Sequence, residues 1–283
     1  MYDVIVIGAG AAGLMAAATA ARNGKQVLLM EKMEKAGRKI RISGKGRCNL
    51  TNARPPEEFR EAIRVNADFF DVAFAEFNNK ATIRLFERLG VKLDIERGQR
   101  VFPHSGKAWD IANALADYCA DNGVTFMYDT RVNGILTSNG KVYGVTYINK
   151  RGFERKEEAP AVIVATGGVS YPATGSTGDG YLFADELGHT VTEVRPSLTP
   201  LRTSHPQRKF LDGLLLRNVR AQLVVDGEVV REEFGEIGFS ERGIEGAVAL
   251  RLSRDAVDAL IDERKVKIVL DMKPALDEET LFD

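Results

Sequence analysis

Apolar positions along this chain change period several times, and each change marks an element. Asp3 to Ile7 is a short β-branched run, Gly8 to Gly13 is turn-forming, and an Ala-rich stretch then reaches Arg22. Gly24 stops it, and Gln26 to Met30 is apolar again, which predicts a strand–helix–strand unit. Apolar residues return at helical spacing between Phe59 and Leu89 (Phe69, Phe70, Ala73, Phe77, then Ile83, Phe86, Leu89), closed by Gly90, and again over Ala108 to Ala120. From Thr125 the period becomes two. Thr125 to Asp129, Val132 to Ser138 and Lys141 to Ile148 predict a β-meander, with Asn139-Gly140 as a hairpin turn in which both positions tolerate positive φ.

Ala161 to Ala165 is a continuous apolar strand that runs into Thr166-Gly167-Gly168. Past Gly188, strands are predicted at Ala221 to Val225, Glu228 to Arg231 and Val266 to Leu270, a helix from Gly246 to Leu260, and the opening of a helix over Asp277 to Asp283. The pattern predicts an α/β protein with a Rossmann-type domain over 1–190, carrying a helical insertion at about 59–122, and a second, mixed β/α domain over 191–283. No internal repeat or low-complexity segment is present.

Gly8, Gly10 and Gly13 form G-x-G-x-x-G between the first strand and the first helix. In a dinucleotide fold the first glycine permits the tight turn, the second lets backbone approach a diphosphate, and the third lets helix and strand pack closely. The helix start, with Ala11 and Ala12, offers unpaired N–H groups and a partial positive charge to phosphates. Glu31, at the end of the second strand, stands where an acid binds a ribose hydroxyl, with Lys32 beside it.

Composition narrows the alternatives. The 283 residues carry 39 basic and 40 acidic side chains, a formal charge of −1, without the basic excess that a nucleic-acid or anionic-membrane protein ordinarily shows. The 44% apolar and 28% charged residues are ordinary for a globular chain. The two cysteines, Cys48 and Cys119, lie in no CxxC or Cys/His cluster, so neither a disulfide scaffold nor a metal site is expected. No apolar stretch is long enough to span a membrane, and the expected location is cytoplasmic.

Between Lys35 and Pro56 seven basic residues (Lys35, Arg38, Lys39, Arg41, Lys45, Arg47, Arg54) occur without an acid, broken by Gly37, Gly44 and Gly46. The cations suit a diphosphate or a reduced flavin, and Ser43, Asn49, Thr51 and Asn52 supply hydrogen bonds for a flavin's polar edge. Read without the neighbouring fingerprint, the same loop is a solvated basic segment or an RNA contact. One turn remains open between a cofactor contact and a structural role: Thr174 to Gly180, which can hold oxygen atoms on backbone N–H groups or simply cap a helix. Cys48, without a partner at CxxC spacing, fits a buried, inert thiol better than a redox disulfide. His104 in a Pro-bent loop and Tyr171 before Pro172 are the catalytic candidates. His189 and His205 fit cap and loop positions, and no G-x-S-x-G elbow points to a hydrolase.

Gly37 through Asn52, Arg100-Val101-Phe102-Pro103, Ala165-Thr166-Gly167-Gly168 and Thr174 through Gly180 together resemble a family of bacterial FAD flavoproteins that includes aminoacetone oxidase and the BaiN-type (YhiN-like) bile-acid reductases. The resemblance covers essentially the whole chain and is most specific at Ser43 to Asn52. It implies non-covalent FAD held by Gly8, Gly10, Ala11, Ala12, Gly13, Glu31, Lys32, Arg38, Lys39, Ser43, Gly44, Gly46, Arg47, Cys48, Asn49, Thr51, Val132, Thr166, Gly167 and Gly168. It also implies a small-molecule substrate, NAD(P)H as a possible electron donor, and no specific nucleic acid or membrane partner. Phe239 to Gly246 would line the substrate cleft, departing here from the commoner Ser-Gly-Pro form. Family members run on past the position equivalent to Asp283, so the second domain is expected to be incomplete. The alternatives are an NAD-linked dehydrogenase without flavin and a non-catalytic nucleotide- or RNA-binding module.

Overall fold

The computed structural model describes residues 1–63, 65–204, 208–276 and 280. The helix expected over Asp277 to Asp283 and the loop position of His205 lie, but for Thr280, outside the described residues. The chain divides into two compact units, Met1–Val191 and Thr192–Asp283.

In the first unit β1 (Val4–Ile7) leads into α1 (Ala11–Arg22) and β2 (Val27–Met30). The chain continues through α2 (Arg38–Ile42), a 3₁₀ turn at Ser43–Gly46, β3 (Thr51–Asn52), α3 (Pro56–Ala62), α4 (Ala67–Glu76) and α5 (Asn79–Arg88). After the hairpin β4 (Leu93–Glu96) and β5 (Arg100–Pro103) come α6 (Ala108–Asp121), β6 (Thr125–Met127), β7 (Arg131–Ser138), β8 (Lys141–Ile148), β9 (Glu154–Glu158), β10 (Ala161–Val164) and α7 (Asp179–Glu186).

The central sheet is parallel, in the order β10-β1-β2-β6, with Ile5 beside Val162 and Leu28. Both faces are covered, so β1 and β2 read as unbroken apolar runs rather than alternating ones. Val6, Leu14, Val27, Leu29, Ile111 and Leu115 form the core on one side, and Ile5, Leu28, Met30, Val132 and Val145 on the other. Each such side chain contributes about 1.5–3 kcal/mol of burial. Two three-stranded antiparallel sheets, β3-β5-β4 and β7-β8-β9, flank it. The β7–β8 turn is at Asn139-Gly140, with φ of 52° and 72°.

The sequence reading is corrected at Thr125 to Asp129. These residues are not part of the meander: β6 pairs parallel to β2, Leu29 beside Phe126, and is a third strand of the Rossmann layer. The helix before it, α6, packs on α1 and α2 as the crossover of that layer, so the inserted part is α3 to α5 with the β4–β5 hairpin. Three residues at a sheet edge carry too little periodicity to separate the two assignments.

The second unit is a five-stranded sheet, β11-β14-β13-β12-β15, built from β11 (Leu201–Arg202), β12 (Leu215–Val225), β13 (Glu228–Ser240), β14 (Gly243–Glu245) and β15 (Val266–Asp271). Helix α8 (Ala247–Ile261) buries Val248, Leu252 and Ala256 against Ala221, Leu223 and Ile237 of the sheet. The β12 and β13 strands meet at Asp226-Gly227 as predicted but run well beyond the alternating core that revealed them.

Candidate dinucleotide site

The β1–α1 turn shows why its glycines are glycines. At Gly8, with φ of 98°, a Cβ would lie 2.6 Å from the Ala165 carbonyl oxygen; at Gly13 it would lie 1.8 Å from the Gly8 carbonyl oxygen. Neither position has room for a side chain. Gly10 differs: a Cβ there meets nothing within 4 Å, so its free space faces a cavity rather than the protein.

Above the turn, the first intrahelical bond is Leu14 N–H to the Gly10 carbonyl at 2.9 Å, so the amides of Ala11, Ala12 and Gly13 have no helical acceptor. No acid stands in the first turn of α1 and no side chain caps it. The arrangement is a cradle for an anion.

The cradle opens into a cavity of about 830 Å³. Gly8, Gly10, Ala11, Ala12, Glu31, Lys32, Arg38, Lys39, Ser43, Cys48, Asn49, Val132, Thr166 and Gly167 all line it, which brings together residues far apart in the chain. Glu31 is fixed by its own neighbourhood. Its Oε2 accepts from Ala9 N–H at 2.7 Å and its Oε1 from Met33 N–H at 2.9 Å. Burial raises its pKa, and these two bonds partly oppose the rise.

Across the cavity lies the Thr174–Gly180 turn. Lys39 Nζ donates to Ser176 Oγ at 2.7 Å, and Lys32 Nζ donates to Asp179 Oδ2 at 2.7 Å. Burial would raise the Asp179 pKa, but the hydrogen bonds from Lys32 and Thr177 outweigh it and hold the carboxyl below its ordinary value. The turn leads into α7 with Gly178 at its N-cap position, and it lines the cavity through Thr174, Gly175, Ser176 and Asp179.

Other expected site residues stand elsewhere. Gly13 is packed under the cradle. Gly44 shapes the 3₁₀ turn, where a Cβ would lie 2.7 Å from Asn49 N, and neither it nor Gly46 lines the cavity. Arg47 pairs with Glu96 and lies over the Phe102 ring at 4.3 Å; Thr51 is in β3 beside Val101; Gly168 lies beyond the lining residues.

The basic loop is therefore less aimed than its composition suggests. Arg38 lines the cavity but donates to Glu34 at 2.5 Å, Arg41 donates to Asn113 and lies over Trp109, and Arg54 pairs with Glu58. His104 and Tyr171 are also outside. His104 Nδ1 is 2.9 Å from Asp94 Oδ2 on the exposed β4–β5 hairpin, and Tyr171 is exposed with φ of 54°. The segment Phe239 to Gly246 forms the β13–β14 turn and the residue before α8 in the second unit.

Sequence reasoning missed the apolar walls. Phe77, Thr82, Leu85 and Phe86, with Ile111 and Leu115 of α6, line the cavity, although their helical period alone marks them as core. Both cysteines are buried. Cys48 lines the cavity and burial raises its pKa, while burial pushes Cys119 up to about 12. Among the described residues no cluster is arranged to hold a metal ion, and no helix is long and apolar enough to cross a membrane.

A family model described as HI0933-like protein Rossmann domain matches residues 2–258. The 3-dehydro-bile acid delta(4,6)-reductase of Clostridium scindens is 29% identical over 286 residues, covering 98% of this chain and 66% of that protein. A ribosomal RNA dihydrouridine synthase of Haemophilus influenzae is 32% identical over 252 residues, covering 88% of this chain and 60% of its own length. The chain thus spans less than two thirds of these relatives. Among solved structures, Escherichia coli quinol fumarate reductase aligns over 100% of this chain and 55% of its own, with a TM-score of 0.57 at 18% identity. The 3-ketosteroid-delta4-(5alpha)-dehydrogenase of Rhodococcus jostii aligns over 76% and 59%, with a TM-score of 0.54 at 19% identity, a likeness of fold. With its glycine cradle, fixed acid and parallel sheet, the chain belongs to the HI0933-like family, whose Rossmann domain is of the FAD-binding kind used by FAD-dependent oxidoreductases.

Proposed function

We propose that the protein is a reductase that uses FAD to pass two electrons from NAD(P)H to a carbon–carbon double bond made electron-poor by a conjugated carbonyl. The observation that carries it is the cradle: a turn too tight for any side chain at Gly8 and Gly13 but open at Gly10, under free α1 amides. The residues present fit the cofactor. The α1 N-terminus would take the diphosphate and Glu31 a ribose hydroxyl, Lys39 would offset the charge, and Ser43, Asn49 and the apolar walls suit a flavin ring.

When bound, FAD supplies the two-electron relay, and the protein contributes binding, orientation and the local field. The substrate class rests on the relatives. Reduction of a delta(4,6) 3-dehydro-bile acid and formation of dihydrouridine both saturate a double bond conjugated to a carbonyl. The balance is one hydride and one proton added across that bond for each NAD(P)H oxidised.

The test is anaerobic. Protein reconstituted with FAD is mixed with NADH or NADPH, and bleaching of the flavin is followed, then its return on adding a conjugated enone. Bleaching and enone-dependent return are expected. No bleaching, with peroxide produced from amines in air, overturns the reading in favour of an oxidase.

A further inference from the structure

Two sheets of the molecule end on strands of similar length and opposite character. β9 closes the β7-β8-β9 sheet with Glu154-Arg155-Lys156-Glu157-Glu158, and an edge so densely charged discourages a further strand. β15 closes the five-stranded sheet with Val266-Lys267-Ile268-Val269-Leu270-Asp271. Among the described residues no strand pairs with its outer side.

The direction of its free main-chain groups follows from the pairing with β12. Asp226 N–H donates to the Lys265 carbonyl at 2.9 Å, and the register runs on from Val225 opposite Val266 to Arg220 opposite Asp271. Hydrogen-bonded pairs alternate along an antiparallel ladder, so Lys267, Val269 and Asp271 turn their N–H and carbonyl groups toward β12. Val266, Ile268 and Leu270 turn theirs outward. The side chains divide in the same way. Val266, Ile268 and Leu270 rest half-buried against the core under α8, whereas Lys267, Asp271 and Val269, the last 48% exposed, stand on the open face.

We propose that this edge is where two copies of the chain meet, β15 pairing antiparallel with itself about a two-fold axis at Val269. A contact of that symmetry must be self-complementary, and this one is. Ile268 and Leu270 of one copy exchange main-chain hydrogen bonds with Leu270 and Ile268 of the other, and their side chains join the two cores. On the open face Val269 meets Val269, and Lys267 stands opposite Asp271 on both sides of the axis, at positions where paired side chains approach most closely. Both charges are available: among the described residues Lys267 has no ionic partner, and the Asp271 carboxylate accepts only the Lys273 N–H. Setting a core-facing residue opposite an open-facing one would waste both faces, and centring the pair on Ile268 would leave Lys267 opposite Val269. The pairing does not depend on what fills the cavity of the first unit.

The whole chain, with FAD supplied, is followed by analytical ultracentrifugation. A six-residue edge buries less than the about 1,200 Å² of a long-lived interface, so the mass is expected to rise from one chain to two between about 1 and about 100 µM. Val269→Lys sets like charges face to face and is expected to weaken association by about tenfold or more. Lys267→Asp is expected to weaken it by about fivefold, and Asp271→Lys added to it should restore the affinity to within about threefold, which a strand damaged by substitution would not do. Disulfide trapping in air with a copper catalyst reads the register, each pair of thiols passing two electrons to dioxygen. Val269→Cys should cross-link, because opposed Cα atoms lie about 4.5–5.5 Å apart, within disulfide reach. Lys267→Cys should not, since its symmetry mate stands about four residues, or about 13 Å, along the strand. The native Cys48 and Cys119 are buried and do not compete. Thermal melts show which charge variants are folded, and the cysteine variants keep the test open where one is not. A chain that stays single at the highest concentration overturns the proposal, as does a dimer that survives Val269→Lys, or trapping as fast at Lys267→Cys as at Val269→Cys.

Discussion

The β1–α1 turn and the Lys35–Arg54 loop looked alike in the sequence, both glycine-punctuated and both suited to a phosphate-bearing cofactor. The structure separates them. Every glycine of the first has a steric reason at the position where it stands: two are crowded by backbone and one faces the cavity. In the second, Arg38 and Lys39 line the cavity, while Arg41, Arg47 and Arg54 are held by Asn113, Glu96 and Glu58. The glycine positions of the first turn are signalled by a short motif, even though Gly8 is crowded by Ala165 from far along the chain. The destination of a long charged side chain is set by whatever carboxylate or ring the fold brings near, and that is not local information.

The widest separation is expected inside the first turn. Gly13→Val forces a side chain into the Gly8 carbonyl and should cost about 3 kcal/mol or more of stability, read by urea unfolding without cofactor. Gly10→Val has space and an ordinary φ of −79°, so the apo stability should move by less than about 0.5 kcal/mol. Its FAD affinity, by absorbance titration, should fall by roughly tenfold or more, about 1.4 kcal/mol of binding. Equal losses of stability in the two variants would erase the distinction between packing and ligand-facing glycines.

A smaller effect is expected where the two sides of the cavity are tied. Asp179→Asn removes the charged partner of Lys32 and should cost about 1–2 kcal/mol at pH 7. The Asp179 carboxyl is held below its ordinary value, so its contribution is present at neutral pH and is lost as the pH falls through the folded value. The difference between Asp179→Asn and the unmodified chain should therefore shrink in unfolding curves below about pH 4.

The smallest effect belongs to the loop. Arg47→Gln breaks an exposed pair with Glu96 and should change FAD affinity by less than about threefold. A larger loss would return Arg47 to the cofactor.

Much of the architecture was legible. The β1–α1–β2 unit, the Asn139-Gly140 hairpin, the return strand at Ala161 and the Asp226-Gly227 turn each rest on a pattern confined to a few residues, and the structure has them. β6 was misassigned because three edge residues look the same in a meander and in a parallel layer. Of the residues that line the cavity, Gly8, Gly10, Glu31, Lys32, Lys39 and Thr166-Gly167 stand among those the fingerprint and the family resemblance pointed to. The α5 wall was not among them, because Leu85 and Phe86 are buried core residues by any periodicity, and only the third dimension shows that a cavity ends on them.

The contact between Gly8 and Ala165 also bears on how the protein is made. The β1–α1 turn is synthesised long before the end of β10 that closes its tight side, and β10 can pair with β1 only after the whole β7–β9 sheet has been made. Until then the nascent turn has one wall missing, and the energy for closing so long a loop is spent before any pairing repays it. Cofactor loading therefore waits on translation of nearly the entire first unit. A ribosome-bound chain arrested before Ala161 should not retain flavin, and one released after α7 has the full set of walls.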